Sequence, residues 1–145
     1  MGLWFDEFTP ERAHKSNNRG LNKTIGMEIL ERGEDFLKGR IPVDERTHQP
    51  FGILHGGASC VLAETLASFA SAMVIDHTKQ SCVGLEINAN HLRGVKSGWV
   101  TGTARPIHIG RTTHVWDVRL VDDQGKLTCI SRVTMAILDG SRGPV

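Results

Sequence analysis

QPFGILHGGASCVLAETLAS, residues 49–68, decides how this chain folds, because an irregular loop passes there straight into a helix. Pro50 and Gly52 stand among polar residues across 44–54 with no sustained period, which predicts a loop. From 55 to 74 the residues Ala58, Leu62, Leu66, Phe69 and Met73 recur at three- and four-residue steps, the apolar stripe of a helix expected to face a sheet. The other side carries Gly57, Cys60, Glu64, Ala67, Ser68 and Ser71. All but Glu64 are small, so another backbone or a ligand can come close to a single carboxylate.

Upstream of the helix, 1–24 is polar and weakly patterned, an N-terminal extension in which Thr9-Pro10-Glu11 marks the start of a short helix: Thr can cap, and Pro suits the first helical position. Residues 27–43 read as two strands around the turn Gly33-Glu34-Asp35. Downstream, four extended segments at about 81–92, 98–108, 112–121 and 127–138 carry β-branched residues and partial alternation. The clearest sets Val83, Leu85, Ile87 and Ala89 on one face against Gly84, Glu86, Asn88 and Asn90 on the other. Two strands, a long helix and a four-strand meander make an α+β chain with a largely antiparallel sheet.

The bulk properties exclude more than they select. With 145 residues the chain suits one domain over 1–145, and 39% hydrophobic with 23% charged residues is ordinary for a globular protein. A formal charge of +1 lacks the electrostatic footprint of a nucleic-acid binder. Cys60, Cys82 and Cys129 are odd in number and widely spaced, which argues against a disulfide framework or a zinc ribbon and for a reducing cytoplasm. The start, MGLWFDEFTP, has no apolar core of the signal-peptide kind, and no run approaches the roughly 20 apolar residues of a membrane span.

Several residues can carry chemistry. Amides near Gly56 and Gly57 fall where a helix start leaves N–H donors without internal partners, a place that favours negative charge; the same glycines also suit a tight turn into the helix. Glu64, two turns on and away from Leu62 and Leu66, is open to two readings, a solvated helix glutamate or a base or nucleophile. Ser68, four residues later, is placed to bond that carboxylate or a water, and Gln49 to orient a carbonyl or water. Of seven histidines, His55 at the helix start and His91 at the end of the alternating strand can donate to a reacting group, His91 being equally readable as a buried structural residue. His14, His48, His77, His108 and His114 are assigned to the surface. No two histidines share a helical face at metal-ligand spacing, so no metal site is expected, and no G-x-S-x-G elbow offers a serine nucleophile. Gly110-Arg111-Thr112-Thr113 can hold phosphate or be an ordinary polar hairpin.

Taken together, the 49–68 block, the strand VGLEINANHLR and the turn GRTTHVW closely resemble the hotdog thioesterases of the phenylacetate-degradation type. Within that family the nearest branches are those that cleave 1,4-dihydroxy-2-naphthoyl-CoA and those that proofread enterobactin assembly. The resemblance spans about 26–138 and implies a long central helix wrapped by a curved antiparallel sheet, a homodimer as the minimal unit, usually a homotetramer, and active sites between subunits. It further implies hydrolysis of an acyl-CoA or acyl-carrier-protein thioester without a cofactor, an aromatic acyl-CoA being the first choice. Glu64 is then the nucleophile or general base and Gly56 N–H the oxyanion donor, with Gln49 and His55 positioning the reacting groups and Ser68 and His91 orienting water or substrate. Gly57 and Phe69 border the substrate, and Arg93 and Arg111 meet the phosphates of CoA. The same fold also hosts acyl-thioester hydratases and non-catalytic acyl-CoA binders, which stand as the rival readings.

Overall fold

The computed structural model describes residues 2–140, so both ends of the expected 1–145 domain lie outside the described residues. Helix α1 (Pro10–Asn17) starts where the sequence marks it, with Thr9 Oγ1 accepting from Arg12 N–H. A second short helix, α2 (Gly20–Thr24), follows; its cap, Arg19, makes no side-chain bond, and the sequence offers no signal for it. Strands β1 (Glu28–Arg32) and β2 (Leu37–Pro42) form the expected hairpin, and after the 44–54 loop comes α3 (Gly56–Val74). The four expected strands are β3 (Gln80–His91), β4 (Trp99–Ile109), β5 (Thr113–Val121) and β6 (Leu127–Asp139), but only β4, β5 and β6 form a meander: β3 pairs with β6 and not with β4. All six strands join one antiparallel sheet in the order β1-β2-β4-β5-β6-β3. The β3 edge therefore arrives by a crossover, and α3 packs against β2, β3, β4, β5 and β6.

That enclosure widens the buried face of the helix beyond the expected stripe. Leu62, Leu66 and Met73 are buried as expected, and Ala58 and Phe69 pack half-buried against the core. Ala67 and Ser71, assigned to the open side, are also fully buried, because a helix wrapped on several flanks turns its small residues toward strands as well. The sheet makes room in turn. Gly39 and Gly102 are cross-strand partners on β2 and β4, and a Cβ on either would come within 2.9 Å of Leu66 methyl groups, so the leucine seats in a notch of two glycines. α3 is long and apolar enough by composition to cross a bilayer, contrary to the reading that no run approaches this; its burial in the sheet identifies a core helix.

Strand β3 corrects the expected alternation. Gly84 pairs with Met135 and Glu86 with Thr134, so Leu85 is an extra, unpaired residue. Such a bulge shifts the phase of a strand by one residue. Ahead of it Cys82 and Gly84 face the helix, and after it Ile87 and Ala89 do, while Leu85 is 64% exposed rather than half-buried.

His114 is the second correction: it is only 2% exposed, not a surface residue. It takes an inward slot of β5 beside Trp116, Val118 and Leu120, and its Nδ1 lies 3.0 Å from Ser71 Oγ, which also accepts from Trp116 Nε1–H at 2.8 Å. Burial, assisted by nearby His108, holds the His114 imidazole below its ordinary range. The unfolded chain then takes up the proton first as the pH falls through about 6.5, so stability is full above that value and declines toward the folded His114 value. Thermal melts at about pH 7 and about pH 5.5 should show a drop at the lower pH that is smaller in His114→Gln; an unchanged drop would assign the effect to other groups.

Candidate active site

The loop before α3 is closed by its own backbone. Gln49 N–H donates to Ile53 O at 2.8 Å, Gly52 N–H to Gln49 O at 2.9 Å, and Gln49 Oε1 accepts from Phe51 N–H. His55 N–H bonds Thr47 O, and its Nδ1 caps the helix by accepting from Gly57 N–H at 2.8 Å. Ala58 N–H turns back to His55 O at 2.9 Å. Of the first amides of α3, Gly56 N–H has no partner among the described residues, whereas Gly57, expected to share in substrate binding, has its N–H occupied. A free donor at a helix start is suited to an oxygen that gains negative charge.

Gly56 opens into a cleft of about 360 Å³ that it shares with Gln49, Ile53, Ser59, His91, Arg93 and Thr128. His91 lies over Gly56 so closely that a Cβ there would stand 2.9 Å from His91 Nε2. His91 is exposed, which removes the reading of a buried structural histidine. Arg93 lines the cleft and has no ion pair among the described residues.

Other candidates lie elsewhere. Eight residues separate Gly56 from Glu64, about 12 Å along the helix axis, and Glu64 does not line the cleft. Its carboxylate lies beside Gly84 and has no hydrogen-bond or ion-pair partner among the described residues. Ser68, expected to bond that carboxylate, turns its hydroxyl to Met135 Sδ at 3.6 Å instead. Phe69 packs half-buried against the core. Arg111 belongs to the hairpin between β4 and β5, close to the Thr113↔Ala136 pair, while the cleft reaches β6 at Thr128. Those positions differ by about 25 Å along an extended strand, so one chain does not bring Arg93 and Arg111 to one ligand.

The thiols are subdued. Burial pushes Cys129 up to about 11, with Cys60 adding to the effect, and raises Cys82; Cys60 is raised by burial and by Glu64 one turn away. A thiolate nucleophile is therefore disfavoured at neutral pH.

A helix wrapped by a curved antiparallel sheet, with a free amide where the loop enters it, is the hotdog arrangement on which thioester hydrolysis is built. Residues 51–129 match the family model described as the thioesterase superfamily, and the chain belongs to that family as a hotdog-fold hydrolase. It is 41% identical over 136 residues to 1,4-dihydroxy-2-naphthoyl-CoA hydrolase of Escherichia coli, covering 94% of this chain and 99% of that one. It is also 41% identical over 136 residues to the proofreading thioesterase EntH of Cronobacter turicensis, covering 94% and 98%. Among solved structures it is similar to a thioesterase of Pseudomonas aeruginosa, a glutamine-to-alanine mutant, with TM-score 0.93, 50% identity and coverage of 95% and 99%. A Staphylococcus aureus protein, solved as a glutamate-to-alanine mutant, gives TM-score 0.81, 44% identity and coverage of 83% and 100%.

Proposed function

We propose that this protein works in the cytoplasm as an acyl-CoA thioesterase, releasing free acid and CoA from an aromatic acyl-CoA at a site shared between two copies of the chain. One observation carries the reading: the free Gly56 N–H and the unpartnered Glu64 carboxylate are about 12 Å apart along one helix. A single carbonyl carbon cannot be held by one and attacked through the other in the same chain, where reacting atoms must approach to about 3–3.5 Å. A homodimer that sets the start of one α3 beside the middle of the other removes the difficulty, and a homotetramer pairs two such dimers.

In this arrangement the thioester carbonyl oxygen accepts from Gly56 N–H, with His91 beside it and Gln49 and His55 ordering the loop. Glu64 of the partner subunit acts as nucleophile or general base, and Ser68 and Phe69 follow it along the same helix toward the acyl group. The thiolate leaves with little help because it is weakly basic, so the reaction uses no metal or cofactor. Arg93 from one chain and Arg111 from another supply guanidinium groups for the phosphates of CoA. The name of the Escherichia coli relative, a naphthoyl-CoA hydrolase, supports an aromatic acyl group, and the residue types removed in the two solved mutants are those of Gln49 and Glu64.

A thiol-release assay over aryl-, fatty- and hydroxyacyl-CoA, each also offered on acyl carrier protein, tests the proposal. The expected result is a kcat/KM for aryl-CoA at least about tenfold above the rest, about 1.4 kcal/mol of transition-state discrimination. Fatty acyl-CoA cleaved as well as aryl-CoA would overturn the aromatic assignment. Binding without thiol release across the panel would mark a binding protein.

A further inference from the structure

The Glu64 carboxylate has no polar group holding it, yet one feature of the opposing strand fixes where it can lie. A Cβ added to Gly84 would overlap Glu64 Oε1 and come within 3.3 Å of Glu64 Cδ. Gly84 faces the helix because the bulge at Leu85 comes directly after it, and its ladder partner Met135 already occupies the Ser68 hydroxyl. Its φ is not positive, so the backbone does not demand glycine here; the space does.

We infer that Gly84 is a positioning residue for the reaction: its missing side chain leaves the pocket into which the Glu64 carboxylate settles. The inference rests on Glu64 being the reacting carboxylate. Glutamate ends in a flexible group, so a methyl at 84 displaces the carboxylate at little cost to folding. Chemistry is less tolerant, since a misplacement of about 1 Å can lower turnover about 100-fold.

The test compares Gly84→Ala, Glu64→Asp, the double variant and Glu64→Gln for kcat, KM and melting temperature on the same aryl-CoA. Gly84→Ala should melt cooperatively near the wild-type temperature, with kcat down about 100-fold and KM nearly unchanged. In the double variant the carboxylate is drawn back by one methylene and clears the new methyl, so its loss should be no greater than that of Glu64→Asp alone. Losses that multiply would overturn the inference, as would cooperative melting lost in Gly84→Ala and not restored by Glu64→Asp, because the clash would then lie with the backbone. Wild-type turnover in Gly84→Ala with Glu64→Gln inactive would overturn the inference alone; wild-type turnover in Glu64→Gln would overturn the assignment of Glu64 and the inference with it.

Discussion

Glu64→Gln is expected to lower kcat by about three orders of magnitude or more while leaving the fold intact. Glutamine keeps the length and shape of the side chain and removes only its charge and basicity. The carboxylate is half-exposed and makes no ion pair or hydrogen bond among the described residues, so its loss should change stability by no more than about 0.5 kcal/mol. Turnover is measured by thiol release at saturating substrate; near-normal rates would remove Glu64 from the mechanism. The proposed shared site allows a sharper form of the experiment. Mixing Glu64→Gln with an inactive His91→Ala chain under subunit exchange gives mixed dimers in which one of two sites keeps both an intact His91 and the other chain's Glu64. Random exchange at equal amounts then restores about a quarter of wild-type activity, whereas a site built within one chain restores none.

Legibility in the sequence followed the range of the interaction. The central helix was readable because its signal is local: three- and four-residue recurrence and a glycine pair at its start survive any tertiary context. The strands were placed within a few residues for the same reason. The phase break in β3 was hidden, since VGLEINA reads as unbroken alternation and nothing local announces that Leu85 is left without a partner. His114 was misplaced because its burial depends on Ser71, a partner 43 residues away. Its own strand does carry a clue: Trp116, Val118 and Leu120 continue the same face, which puts His114 in an apolar slot. Gly56, Gln49 and His91 line one cleft, while Glu64 stands apart in the single chain, a separation that local sequence patterns do not encode. Gly84 escaped notice as an ordinary polar-face residue; its meaning depends on a carboxylate 20 positions earlier in the chain.

Trp116→Ala should be the most damaging single change to stability. The indole is fully buried, stacks on Trp4 with ring centroids 6.3 Å apart and planes 12° apart, and donates from Nε1 to Ser71 Oγ. Truncation removes the ring and leaves a cavity, at about 3–5 kcal/mol. Ser71 Oγ loses the Trp116 donor as well and keeps only its contact to His114 Nδ1. The strap ahead of α1 loses part of its footing, although Trp4 Nε1–H still donates to Gly33 O and the Phe5 and Asp6 amides still reach Met73 O. Against a total folding stability of about 5–15 kcal/mol, a loss of that size lowers the melting temperature by about 10–20 °C for a chain of this length. Trp116→Phe separates the contributions in part, because it keeps an aromatic ring against Trp4, drops the N–H bond for about 1 kcal/mol and leaves a smaller cavity than alanine does. Melting is compared at one protomer concentration, since the proposed dimer would make the midpoint depend on it. A shift of only a few degrees for Trp116→Ala would show that the core tolerates the loss of its largest buried side chain and would overturn the prediction.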